Sequence, residues 1–206
     1  IGYQAVFAGQ KSYNGVAVLS LLPSTEVVTE LPGPDDPQRR LLAVTLGGLR
    51  MVNVYVPNGQ AVGTDKYAYK LSWLKRLTDY VGEQLVLYPQ LIVLGDFNIA
   101  PEDRDVHDPQ AWTDQVLCSE AERSALRRLL ALGLVDTFRL FDQAEATFSW
   151  WDYRAAAFRR NLGLRIDLIL ASPVMAKLCT ACRVDKEPRR SERPSDHTPV
   201  IAEFAL

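Results

Sequence analysis

Leu91-Ile92-Val93-Leu94-Gly95-Asp96-Phe97-Asn98 carries four apolar residues and then stops at a glycine and two polar side chains. A run of this length, preceded by Pro89, predicts a buried strand. Its carboxyl end then presents a carboxylate and a carboxamide, and open α/β sheets place their chemistry at the carboxyl ends of strands. Asp96 and Asn98 alternate with Phe97, so a persisting pleat turns both toward one side. There they could hold a water and an oxyanion, which phosphodiester hydrolysis needs. The competing reading is a strand followed by an Asx-type turn, to which Gly-Asp and Asn are equally suited.

Further strand-like runs surround this one: Tyr3–Ala8, Val16–Leu21, Leu41–Thr45, Met51–Val56, Arg165–Ala171 and Pro199–Phe204. They hold β-branched and aromatic residues between Gly, Pro or Asn. Two segments have helical spacing. Leu71, Leu74, Leu77, Val81 and Leu85 predict a helix over 65–87, with Pro89 just beyond it. Ser119 and Glu122 stand in capping-box spacing before Leu126, Leu129 and Leu130, and Gly133 stops that helix. Between the helices, 98–113 is a polar loop, and 142–163 is a second long irregular stretch with aromatics and arginines together. The fold class that would bury these runs is a layered α/β sandwich, with two facing sheets and helices outside. A doubly wound sheet would need strict strand–helix alternation, which the first part of the chain lacks. No repeat or linker divides residues 1–206, so they read as one domain.

Composition agrees: 206 residues, 48% hydrophobic and 23% charged, describe a globular chain. No apolar stretch approaches membrane-spanning length, so no membrane partner is expected. A net charge of −2 argues against an overall basic coat but leaves room for a basic face. Arginines gather at Arg154, Arg159, Arg160 and Arg165, and again at Arg183, Arg189, Arg190 and Arg193. They read equally well as that face or as a solvated surface with Asp185, Glu187 and Glu192 beside it. Cys179-Thr180-Ala181-Cys182 has redox or zinc spacing but no second pair and no neighbouring histidine, so structural thiols and a reducing cytoplasm are expected. The chain opens on Ile1-Gly2-Tyr3 and enters a strand almost at once, which reads as a chain cut inside a domain.

Three more constellations carry chemistry. Asp167 lies inside an apolar strand, where an unpaired charge is costly; its partner is either a structural Arg such as Arg165 or a histidine. Ser195-Asp196-His197 supplies that histidine just before the last strand, and an Asp167–His197 pair would orient the imidazole and stabilise its cation. Asn53-Val54-Tyr55-Val56-Pro57-Asn58-Gly59 delivers Tyr55 to a loop, as a donor to phosphate or as an ordinary half-buried tyrosine. The segment 147–154 sets Trp150, Trp151 and Tyr153 beside Arg154; it could stack on nucleic acid or form a satellite hydrophobic cluster.

The order of these pieces resembles the exonuclease III family of apurinic/apyrimidinic endonucleases, in the endonuclease/exonuclease/phosphatase superfamily. The likeness is carried by Gly9 to Ala17, Asn53 to Gly59, Gly95 to Asn98, Phe148 to Arg154, Gly163 to Asp167 and Ser191 to His197. It implies a four-layered α/β sandwich, with two facing, mostly antiparallel sheets flanked by helices. It also implies Mg²⁺-dependent hydrolysis, with Mn²⁺ as a substitute, by a monomer acting on duplex DNA 5′ of abasic sites and at 3′ ends. By that resemblance Asp96 would activate the water and Asn98 would help hold it, while Asp167, His197 and Tyr55 would serve the scissile phosphate. Asp196, Asp96 and Asn98 would form the metal site, and Lys11, Trp150, Trp151, Tyr153 and Arg154 would face DNA. Oxygen ligands without a Cys/His cluster suit such a hard cation. Family members begin with a strand bearing an Asn and a second ending in Gln-Glu, whose Glu binds metal. Nothing here matches either, so the expectation is a chain that lacks the amino-terminal strands. The alternatives are a superfamily phosphoesterase acting on another substrate and a noncatalytic DNA-binding fragment.

Overall fold

Every strand expected from the sequence is present, with ends moved by two residues at most, in the computed structural model, which describes residues Ile1–Leu206. In chain order the elements are β1 (Gln4–Gly9), β2 (Gly15–Ser20), β3 (Ser24–Val28), β4 (Leu41–Leu46), β5 (Leu49–Tyr55), α1 (Asp65–Leu87) and β6 (Leu91–Asp96). Then come α2 (Glu120–Leu130), β7 (Val135–Asp136), β8 (Trp150–Trp151), β9 (Gly163–Leu164), β10 (Asp167–Ala171), α3 (Pro173–Leu178), β11 (Cys179–Val184) and β12 (Val200–Phe204).

Six strands form one sheet in the order β3-β4-β5-β6-β10-β7. Only β5 and β6 run parallel, because α1 carries the chain from one to the next. The Thr64 side chain caps α1 by accepting from the Tyr67 N–H, and its apolar stripe of Trp73, Leu74, Leu77 and Val81 is buried on the sheet. There it meets Ala43, Val52, Val54, Val93 and Leu170, with Leu126 and Leu129 of α2 alongside. Alternation sends the intervening residues to the opposite face. On that face Leu42 and Val44 pack under the β1–β2 hairpin, and Ile92, Ile169 and Ala171 pack under β11–β12. The result is the mixed α/β sandwich the sequence predicts, with sheets flanked by helices. Its second sheet consists of two hairpins that share no hydrogen-bonded strand pair. No helix is long and apolar enough to cross a membrane.

Arg165 is not the partner of Asp167. Its buried guanidinium binds Asp105 at 2.7 Å and Asp136 at 2.8 Å and lies 4.7 Å over the Phe138 ring. The polar loop after Asn98 is thereby tied to the core through a carboxylate only 1% exposed. The arginine clusters divide accordingly: Arg165 and Arg189 are interior, whereas Arg154, Arg159, Arg160 and Arg193 lie on the surface. All three cysteines are free, and the Cys182 thiol accepts from Thr137 Oγ1 at 3.3 Å, a structural contact.

Candidate active site

Strand register sets the site. β5 and β6 are aligned so that Tyr55 lies beside Asp96, and antiparallel β10 places Asp167 on the other side of Asp96. Three residues separated by up to 112 positions in sequence therefore occupy one row across three neighbouring strands. Gly95 makes the row feasible. Its φ is +132°, and a Cβ there would lie 2.0 Å from the Val54 carbonyl oxygen.

Beyond Asp96 the chain turns, with Asn98 at φ +49°. The Asn98 backbone N–H donates to Asp96 Oδ1 at 2.8 Å, and its carboxamide Nδ2 donates to Asp96 Oδ2 at 2.9 Å and to the Val56 carbonyl at 3.0 Å. The Asx-type turn of the opening stretch is therefore present, and it holds the Asp96 carboxylate at the strand end. Asn98 Oδ1 in turn accepts from Asn58 Nδ2 at 3.2 Å, so the Asn98 side chain is committed to orienting Asp96.

His197 reaches the row because 149–151 and 196–198 run side by side. The Trp151 N–H donates to Asp196 O at 3.0 Å, and the Thr198 N–H to Ser149 O at 2.8 Å. His197 Nδ1 lies 2.9 Å from Asp167 Oδ2, which is the pairing expected from sequence. Burial disfavours the imidazolium, but the hydrogen bond to Asp167 and the charges of Asp167, Asp96 and Asp196 outweigh it and raise His197 to about 9. Burial first, and then the Asp167 charge, push Asp96 above the usual carboxylate range; His197 and the Asn98 N–H oppose that shift. His197 Nε2 stands 4.0 Å from Asp96 Oδ2 across a cleft of about 580 Å³ that Tyr55 and Asp196 also line. An imidazole, a half-buried carboxylate and a phenol thus line one space.

Asp96, Asp167 and His197 form a cluster whose donor atoms lie within 4.8 Å of one another. His197 Nδ1 is taken up by Asp167, and Asp196 lines the same cleft as Asp96, so the two carboxylates offer oxygen donors of the kind a hard cation takes. Asp196 also accepts from Trp150 Nε1 at 3.0 Å, which ties the half-buried Trp150 to the site. Trp151 is placed differently from expectation. It is completely buried, edge-on to Phe158 at 5.0 Å, and presents no surface to a ligand. Lys11 lies exposed in the β1–β2 turn, and Tyr153 and Arg154 are exposed in the aromatic loop.

Two contributors escaped the sequence reading. Ser149 donates to Asp167 Oδ2 at 2.6 Å and accepts from the N–H groups of Ile166 and Asp167, which fixes the carboxylate that holds His197. Asn53 lines the cleft two residues before Tyr55, on the same strand face, and that spacing was the available signal. Ser149 had none, since its partner lies 18 residues away.

Residues 1–197 match the profile of the Endonuclease/Exonuclease/phosphatase family. The chain is 34% identical over 217 residues to exodeoxyribonuclease III of Haemophilus influenzae, an alignment covering 99% of this chain and 81% of that protein. It superposes on the Neisseria 3′ phosphatase NExo bound to a product DNA hairpin with a TM-score of 0.97 and 48% identity, covering 100% of this chain and 80% of the other. An AP endonuclease from Archaeoglobus fulgidus matches with a TM-score of 0.94 and 38% identity over the same shares.

Proposed function

The chain belongs to the Endonuclease/Exonuclease/phosphatase family, among its exonuclease III members, and from that premise we propose that it is a Mg²⁺-dependent DNA repair nuclease. It hydrolyses phosphodiesters 5′ of abasic sites and at the 3′ ends of duplex DNA. The observation that carries this reading is the row Tyr55–Asp96–Asp167 with His197 facing Asp96 across one cleft.

Asp96, aimed by Asn98, takes the proton of the attacking water as the water oxygen bonds to phosphorus. The P–O3′ bond breaks, and the departing 3′ oxygen takes a proton from solvent. His197, kept cationic by Asp167, donates from Nε2 to a phosphate oxygen and offsets the charge that develops there. Tyr55 donates its hydroxyl proton to the same phosphate. Mg²⁺ held by Asp96 and Asp196 would supply Lewis-acid stabilisation of the phosphoryl oxygens. The exposed Lys11, Tyr153 and Arg154, with half-buried Trp150, would form the DNA-facing set of a cytoplasmic monomer.

The test uses a duplex bearing one abasic analogue and a second duplex with a recessed 3′ end. With Mg²⁺ the first is expected to be cut 5′ of the analogue and the second shortened. A chelator should abolish both activities, and added Mg²⁺ or Mn²⁺ should restore them. Salt-sensitive binding without cleavage in excess metal would favour the noncatalytic reading instead. Ser149→Ala is expected to lower kcat about tenfold with KM little changed, because it loosens the carboxylate behind His197. Steady-state kinetics on the abasic duplex checks it.

A further inference from the structure

Lys70 and Glu122 are both fully buried, 52 residues apart, and form an ion pair beneath the site. An ammonium has three donors, and all three are used here: on Glu122 Oε1, on the Asn58 carbonyl at 3.1 Å and on the Asn98 carbonyl at 2.6 Å. Glu122 is equally engaged, accepting from the N–H groups of Leu117 at 3.0 Å and Ser119 at 3.1 Å and from the Ser119 hydroxyl. A buried pair of this kind is weak evidence for stability as such, since packed apolar residues of similar volume often serve as well. Burial pushes Lys70 below the ordinary lysine range, with Glu122 opposing the shift. What the pair provides is geometric. The two carbonyls drawn to Lys70 belong to Asn58 and Asn98, whose side chains meet at 3.2 Å. Asn98 also adopts the left-handed conformation at the turn that presents Asp96.

We infer that Lys70 is a positioning residue: its ammonium fixes the Asn58 and Asn98 carbonyls at one point and so aims the Asn98 carboxamide at Asp96. Glu122 accepts the third N–H of that ammonium. The inference rests on the reading of Asp96 as the reacting carboxylate and adds the residue that sets its geometry from outside the cleft.

The experiment compares Glu122→Gln with the double variant Lys70→Met/Glu122→Gln in the full chain. In Glu122→Gln the buried Lys70 sheds its proton, and the neutral amine keeps two N–H donors for the Asn58 and Asn98 carbonyls, so its kcat on the abasic duplex is expected within about threefold of the parent. The double variant removes both charges together, so no lone charge is buried, and its kcat is expected to fall about 100-fold, since small misplacements of reacting groups cost that much. Its KM is expected within about threefold, because the surface that meets DNA is unchanged. Circular dichroism establishes that both variants are folded at the assay temperature. Should the double variant not fold, Lys70→Gln/Glu122→Gln gives the same comparison with a polar side chain in place.

The second readout needs no activity. The side-chain amide resonances of Asn98 are expected to keep their positions in Glu122→Gln and to shift in the double variant. Equal kcat in the two folded variants, or unmoved Asn98 resonances, overturns the inference. If the parent cuts neither duplex, the reading of the site fails, while the resonances still decide the role of Lys70.

Discussion

Asp96→Asn is expected to lower single-turnover cleavage of the abasic duplex by about 10³-fold, within the range that a positioned general base contributes. The substitution keeps the shape of the side chain but removes three things. The proton acceptor is lost first. The negative charge that Asp96 lends to a metal ion is lost with it. Finally, Asn98 Nδ2, now 2.9 Å from an accepting oxygen, faces a carboxamide that satisfies it in only one orientation. Stability should move the other way. Burial and the neighbouring Asp167 both disfavour the Asp96 carboxylate, so a neutral isostere relieves a conflict present in the native fold. The melting temperature of Asp96→Asn is expected to equal or exceed that of the parent. Cleavage within tenfold of the parent would remove Asp96 from the proton-transfer role; a loss of activity that tracks a loss of folded protein would make its role structural.

What the sequence reveals is divided by distance along the chain. The limits of α1 follow from signals within it and next to it: the leucine spacing, the Thr64 cap and Pro89 just beyond its end. The α2 capping box is likewise local, and Ser119 and Glu122 adopt it. That box hides a second duty. Glu122 is also the buried partner of Lys70, and nothing within four residues of either announces that contact. The elements that escaped are short or set from afar. β7, β8 and β9 are two-residue strands that exist because another segment lies beside them; β3 and α3 are only 5 and 6 residues long, and the cysteine spacing of β11 masks its strand character. Arg165 and Asp167 make the same point. Two residues apart in an extended segment, they were natural partners, yet each is claimed by a group at least 30 residues away, Asp105 and His197 respectively. The acidic, histidine and tyrosine side chains that line the cleft were legible as candidates because they stand at or near strand ends. Ser149, Lys70 and Asn58, which hold those residues in place, were not.

Gly95→Ala is expected to destabilise the protein by about 3 kcal/mol or more, combining strain at a positive φ with a clash against the backbone of the neighbouring strand. The added methyl would stand 2.0 Å from Val54 O and 3.1 Å from Asn53 Oδ1. Val54 O is backbone of the neighbouring strand, so it cannot rotate away as a side chain could. The strands must separate, and they are β5 and β6, the parallel pair whose register holds Tyr55 beside Asp96. The fraction of Gly95→Ala that remains folded should therefore lose activity as well, whereas ordinary core destabilisation leaves the folded fraction active. Urea unfolding measures the first effect, and single-turnover cleavage per folded molecule measures the second. Gly9→Ala is the matched control: nothing lies within 4 Å of the Cβ it would add, and its effect on stability is expected within about 0.5 kcal/mol. If Gly95→Ala is as mild as Gly9→Ala, the close approach of β5 and β6 does not hold the row of Tyr55, Asp96 and Asp167 together. If it is unstable but fully active per folded molecule, the glycine serves the fold alone.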